Sequence, residues 1–245
     1  MNQLFEKTVT VAKSEVNTHN RLKLSALLYY AQETAGAHCQ LMGYDRDSLT
    51  DKNLFWAVLR HRVVIHRLPA AGETITVRTW PMPTTRTAYP RAVRAVDSDG
   101  NILFELVSLW VLMDRTSRAM VLPGKSGVDV PGTLLGDEPA TPGSLVPGNH
   151  LNAASWLVSK QELDVNGHVN NTKYLDPVEQ LADGLNLFQS PKELTVCYLA
   201  EAHEGDTLTL HYTLSEEGIF TLDGTRPRAE TPEKPERIFA VKLCF

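Results

Sequence analysis

Cysteine is scarce in this chain: Cys39, Cys197 and Cys244 are the three in 245 residues. They are odd in number, far apart and form no CxxC pair. That argues against a disulfide framework or a thiolate zinc site and fits a reducing compartment. Long apolar runs are also missing. The nearest, 103–113, is broken by Glu105 and Ser108 and falls far short of the ~20 residues a membrane helix needs. The first residues show neither a basic segment leading into an apolar core nor an Arg/Ser-rich leader, so the expected location is the cytoplasm. No GxGxxG, GxxxxGK[ST], HExxH or GxSxG string occurs, which leaves nucleotide-binding, zinc-protease and serine-hydrolase readings without support. Net positive charge is lacking too: 24 Lys and Arg face 29 Asp and Glu, which argues against a general nucleic-acid partner.

What remains is ordinary globular material, 42% apolar and 22% charged. Its charge is unevenly spread. Residues 1–130 carry 16 basic against 12 acidic side chains, and residues 131–245 carry 8 against 17. Between 123 and 149 the periodicity collapses under Pro123, Pro131, Pro139, Pro142 and Pro147 with six glycines. Such density stops both helices and ladders, so the expected organisation is one block at 1–122, a connector at 123–149 and a second block at 150–245.

The blocks share two anchors. Glu15-Val16-Asn17-Thr18-His19 matches Asp164-Val165-Asn166-Gly167-His168, and residues 72–77 (GETITV) match 205–210 (GDTLTL). Two anchors in one order indicate duplication. In the first block Leu24, Leu27, Leu28, Ala31, Ala35, Cys39 and Met42 recur at helical spacing, with Gly43 as a stop. Strand patterns follow at 55–68, 73–80, 87–97 and 102–113. The second block repeats the plan, with a helix at 171–187 and strands at 193–199, 207–215 and 237–245. The expected class is α+β: two tandem units, each a long helix against an antiparallel sheet.

The densest chemical signal is Leu163-Asp164-Val165-Asn166-Gly167-His168-Val169-Asn170-Asn171-Thr172-Lys173-Tyr174. In extended backbone, Asp164, Asn166 and His168 would share one side. The helix start that follows offers N–H groups without internal partners. An acid, an amide, an imidazole and free donors suit ester or thioester hydrolysis. The same residues also suit turns and caps, Asn166-Gly167 as a turn pair and Asn170 or Asn171 as N-caps. Aligned on the second anchor, Glu201 falls over Leu68, so only the second block adds a carboxylate and one site per chain is expected. His61 and His66, among arginines and without Cys or acid partners, read as a solvated strand face, and no metal is expected. His203, two residues from Glu201, could approach the site, but reads first as part of a strand-end turn. Pro177, about two turns into the second helix, should kink or shorten it.

These strings resemble the acyl-acyl carrier protein thioesterases, double hotdog enzymes. The resemblance runs through Gln32-Glu33-Thr34-Ala35 with His38, residues 53–58 (NLFWAV), Thr79-Trp80 and residues 110–114 (WVLMD), and above all through 164–174. It implies two tandem hotdog units and places Asp164, Asn166, His168 and Glu201 on functional positions. Either Glu201 or His168 would activate water, while Asp164 and Asn166 orient the partners. The plant members carry a cysteine directly after the glutamate; here Ala202 stands there, which favours direct attack by water. The first unit would form the acyl pocket, with Trp56 in its lining, and Asn170 and Asn171 would touch substrate. No cofactor is implied. The implied partner is acyl carrier protein with its 4'-phosphopantetheine arm, met by Arg60, Arg62, Arg67 and further arginines of the first half (Arg86, Arg91, Arg94, Arg115, Arg118). A monomer or a homodimer would serve. Hydrolysis of acyl-coenzyme A and non-catalytic sensing of acyl thioesters are the alternatives.

Overall fold

A computed structural model describes residues 3–185, 187, 190–228, 231 and 234–245. It divides into two compact units, Met1–Pro142 and Gly143–Phe245.

In the first unit, strand β1 (Phe5–Thr10) precedes helix α1 (Leu24–Met42). The short helix α2 (Arg46–Thr50) follows, then β2 (Leu54–Ile65), β3 (Thr74–Pro81), β4 (Tyr89–Val96), β5 (Ile102–Asp114), β6 (Met120–Val121) and the one-turn α3 (Pro123–Ser126). The sheet runs β1-β3-β4-β5-β2, every pair antiparallel, with β6 on β5. Helix α1 spans the predicted residues and buries Leu24, Leu27, Leu28, Ala31, Ala35 and Met42. Gly43 ends it at φ 75°, in the left-handed region where a side chain is strained.

The second unit holds β7 (Asn152–Leu157), a 3₁₀ turn at Asn171–Tyr174, α4 (Leu175–Gly184), β8 (Glu193–Tyr198), β9 (Thr207–Leu214), β10 (Ile219–Arg226) and β11 (Glu236–Cys244). Its sheet runs β7-β9-β10-β11-β8, again antiparallel throughout. Strand for strand this is the order of the first unit. The predicted helix at 171–187 is therefore a 3₁₀ turn followed by a ten-residue α-helix. Pro177 lies in the first turn of α4, where an N–H has no intrahelical acceptor, so the missing donor is tolerated there.

The repeat aligns differently from the matching strings. Val16 bridges Leu22 in the first unit as Leu163 bridges Val169 in the second. Asn20 has φ 54° where Gly167 has φ 79°. Asn17, not Glu15, thus lies over Asp164; His19 lies over Asn166 and Arg21 over His168. The acid-Val-Asn-x-His match is two residues out of structural register.

The 123–149 segment is not a free connector. Val128 and Val130 are buried beside Met42, Tyr89 and Leu112. Thr133 N–H donates to Pro81 O at 2.9 Å, and Trp80 Nε1 to Glu138 Oε1 at 3.0 Å. Beyond Pro142 the chain joins the second unit: Leu145 O accepts from Arg237 at 2.8 Å, and Gly148 N–H donates to Asp223 at 3.1 Å.

Candidate active site

The Asp164 string folds as a tight loop rather than an extended segment. Asp164 N–H donates to His168 O at 2.8 Å, and Gly167 N–H donates back to Asp164 O at 3.0 Å. The Asp164 carboxylate accepts from Asn166 N–H at 2.7 Å, from the Asn166 amide at 3.1 Å and from His168 N–H at 3.4 Å. An acid and an amide thus lock each other and aim the residue that follows. Val169 N–H then bonds Ala202 O at 2.9 Å, which ties this loop to the segment after β8. Glu201 stands on that segment, three residues beyond the strand's end at Tyr198 rather than on the strand itself.

The result brings His168 Nδ1 to 3.4 Å from Glu201 Oε1, with the two side chains 25% and 45% exposed. That is a long contact, open to solvent. Behind it, Tyr174 is buried and its hydroxyl accepts Ala202 N–H at 3.2 Å, fixing the peptide next to Glu201. Burial pushes the Tyr174 hydroxyl up to about 12, so it stays protonated at neutral pH. Tyr198, also raised by burial, donates to Asn171 O at 2.8 Å.

Asn170 is engaged as a cap: its Oδ1 accepts from both the N–H and the hydroxyl of Thr172 at 3.0 Å. Val169, Asn170, Thr172 and Lys173 N–H groups all bond within the protein, so the helix start is less open than the sequence suggests. His203 is the residue that sequence reasoning undervalued. It does form the expected turn, with Asp206 N–H donating to His203 O at 3.1 Å. It also pairs across a β-bridge with His168, ring centroids 4.9 Å apart and perpendicular. Its position two residues after Glu201 is the signal that pointed to it, outweighed in the sequence reading by the turn.

Trp56, Arg60, Arg62 and Arg67 belong to the first unit and stand outside this cluster. Trp56 lines a cavity of about 200 Å³ with Gly36, Cys39, Tyr89, Arg91 and Trp110. Its Nε1 donates to Tyr44 O at 2.9 Å, and its ring meets Tyr89 edge-on. Trp80 is core, 2% exposed. Arg67 is bound by both oxygens of Glu73 at 2.8 Å and lies 3.6 Å from Asp97, so its charge is balanced. Arg91 is no surface arginine: it is 6% exposed and donates to His38, Thr79 and Cys39. Arg94 pairs with Glu105 and Asp137. His61 is not on a solvated face either. It is 6% exposed, 3.1 Å from Ser108 Oγ, and burial depresses its ring to about 3. His66 is exposed as expected, 3.4 Å from Glu105.

Residues 2–122 match the acyl-ACP thioesterase N-terminal domain and residues 149–233 the acyl-ACP thioesterase C-terminal domain. A palmitoyl-acyl carrier protein thioesterase from Gossypium hirsutum is 27% identical over 224 residues, covering 85% of this chain and 51% of that protein. A dodecanoyl-[acyl-carrier-protein] hydrolase from Cinnamomum camphora is 25% identical over 228 residues, covering 86% of this chain and 60% of its own. The chain thus spans little more than half the length of these curated relatives. An acyl-ACP thioesterase from Bacteroides thetaiotaomicron superposes with a TM-score of 0.87 at 22% identity, over 100% of this chain and 98% of that one. The 12:0-ACP thioesterase from Umbellularia californica gives 0.80 at 22%, over 99% and 97%. These likenesses fix the fold as tandem hotdogs. With both halves matched in order by the two domains of one family, the chain belongs to the acyl-ACP thioesterases.

Proposed function

We propose that this chain hydrolyses fatty acyl-acyl carrier protein, releasing free fatty acid and ending elongation. The observation that carries the reading is the 3.4 Å approach of His168 to Glu201 across two segments locked by their own hydrogen bonds. One of the pair takes a proton from water, whose oxygen adds to the thioester carbonyl carbon. The resulting oxyanion needs donors. Asn171 N–H, at the first position of the 3₁₀ turn, and the Asn166 amide are the groups assigned to it. As the carbon–sulfur bond breaks, the proton passes to the departing phosphopantetheine thiolate. Asp164 acts as a positioning residue through the Asn166 and His168 backbone.

The apolar cavity of the first unit, with Trp56, Tyr89 and Trp110 in its wall, is the proposed seat of the acyl chain. The acidic carrier meets Arg60 and Arg62 on β2. Arg67 contributes little to this encounter because Glu73 and Asp97 balance it.

The test is a panel of acyl-carrier proteins with released fatty acid as the readout and His168→Ala as the blank. Release from carrier thioesters well above that from coenzyme A thioesters of the same chain supports the assignment. Equal turnover of both favours the coenzyme A reading, and binding without release the sensor reading.

A further inference from the structure

The hydrolytic reading leaves one side chain at the site without a task. His203 is half exposed, with its ring against that of His168. Its backbone is held, since its N–H donates to Asp206 at 2.9 Å. One ligand atom each from His168, Glu201 and His203 lies within 4.8 Å of the others.

Two distances in this cluster decide what it can hold. The His168–Glu201 separation of 3.4 Å matches the ligand-to-ligand edge of a tetrahedral zinc ion, about 3.4 Å for bonds of about 2.0–2.1 Å. The third group, His203, lies within 4.8 Å of the other two, on an exposed side chain that a rotamer adjustment can bring to that edge. Two imidazole nitrogens and one carboxylate oxygen form a donor set for zinc rather than for magnesium or calcium. Three protein ligands leave the fourth position to water. The field favours a cation as well: residues 143–245 carry 8 Lys and Arg against 15 Asp and Glu. The first unit supplies a control within the same chain. Where the second has His168, Glu201 and His203, it has Arg21, Leu68 and Ala70, a set that holds no metal.

We propose that His168, Glu201 and His203 form a reversible zinc site, and that the bound ion switches hydrolysis off. The ion occupies the lone pairs that His168 and Glu201 would turn toward water. Binding stands on this geometry alone; the inhibition rests on the hydrolytic reading above.

The experiment titrates the full chain with zinc chloride by calorimetry at pH 7, alongside hydrolysis of acyl-carrier protein at rising free zinc and after chelator. The expected result is one ion per chain, loss of hydrolysis over the same zinc range and its return with EDTA. His203→Gln should weaken zinc binding by at least about 10-fold while keeping hydrolysis in EDTA. His203→Asp, which returns an oxygen ligand, should recover part of the affinity. Equal zinc affinity in the wild type and His203→Gln overturns the site, and so does absence of binding. Binding without loss of hydrolysis overturns the inhibitory role. If no thioester is hydrolysed in EDTA, the functional reading falls while the calorimetric comparison still decides the site.

Discussion

The two units share one strand order, and the contrasts that matter for the proposed chemistry lie at a few of the loop and buried positions where they differ. Asn17 closes the first loop by accepting from His19 N–H at 3.0 Å and Arg21 N–H at 3.1 Å. Asp164 closes the second in the same way, from Asn166 and His168. The loop is therefore a structural device first. What the second unit adds is an imidazole at the loop's end and a carboxylate after β8, where the first unit has Arg21 and Leu68. The sheets diverge similarly. His61 pairs with Ser108 across β2 and β5, and the equivalent pair across β8 and β11 is Leu194 with Leu243. Ala95 faces Phe104 in one unit; Gly224 faces Phe239 in the other.

The strongest break in this comparison comes at the loop ends. Glu201→Gln and His168→Ala should each lower kcat by about 10²–10⁴-fold, read as fatty acid released. Arg21→Ala, at the equivalent position of the first unit, should leave kcat unchanged. Near-wild-type hydrolysis in both second-unit variants would remove the assignment.

Acid stability should separate the sheets. His61 is neutral and buried, with its ring near 3 against an ordinary 6.5. The unfolded chain therefore takes up a proton that the folded chain refuses. Its contribution is complete above pH 6.5 and is lost as pH falls toward 3, at ~1.4 kcal/mol per pH unit. His61→Leu with Ser108→Leu copies the second unit's apolar pair and should flatten that limb in urea unfolding at stepped pH. An unchanged limb would place the acid sensitivity elsewhere.

A smaller effect is expected at the facing aromatics. A Cβ on Gly224 would meet Phe239 ring carbons at 2.1 and 2.4 Å, and that ring is held by Tyr174 at 4.9 Å. Gly224→Ala should cost about 1–3 kcal/mol by overpacking, whereas Ala95→Gly should cost about 1 kcal/mol through backbone freedom and lost packing. Thermal melts of the two variants give the ratio. The mildest change is Asn17→Ala, about 1 kcal/mol of stability from lost loop hydrogen bonds with hydrolysis intact. Asp164→Ala should lose similar stability and also slow turnover.

Much of this was legible beforehand. Helix α1 could be placed to the residue because its apolar positions and Gly43 lie within a few positions of one another. The residues of the proposed second-unit site come from one string and one aligned glutamate, and the structure brings His168 and Glu201 of them to 3.4 Å. Other elements carried no such signal. Strand β1 is an edge strand that shows most side chains to solvent, so it has little apolar alternation, and β7 is similar. Strand β10, absent from the expected strands, carries Asp223-Gly224, a pair more common in turns. There Asp223 instead takes the Arg237 fork at 2.8 and 2.5 Å and His150 at 2.9 Å. Two apparent surface groups, Arg91 and His61, proved buried because a strand's polar residue can face the core when a partner waits there, on α1 and β3 for Arg91 and across the sheet for His61.

The sequence by itself determined the duplication, the long helix and the acid-amide-imidazole string, because periodicity and turn chemistry act between near neighbours. Only the tertiary structure decided which loop residues are equivalent, since left-handed backbone and bridge pairing, not letter identity, set that register. The sequence puts His203 near Glu201, but the tertiary structure alone sets its ring against that of His168. Those three side chains come from two separate segments, and nothing local to either specifies that they meet.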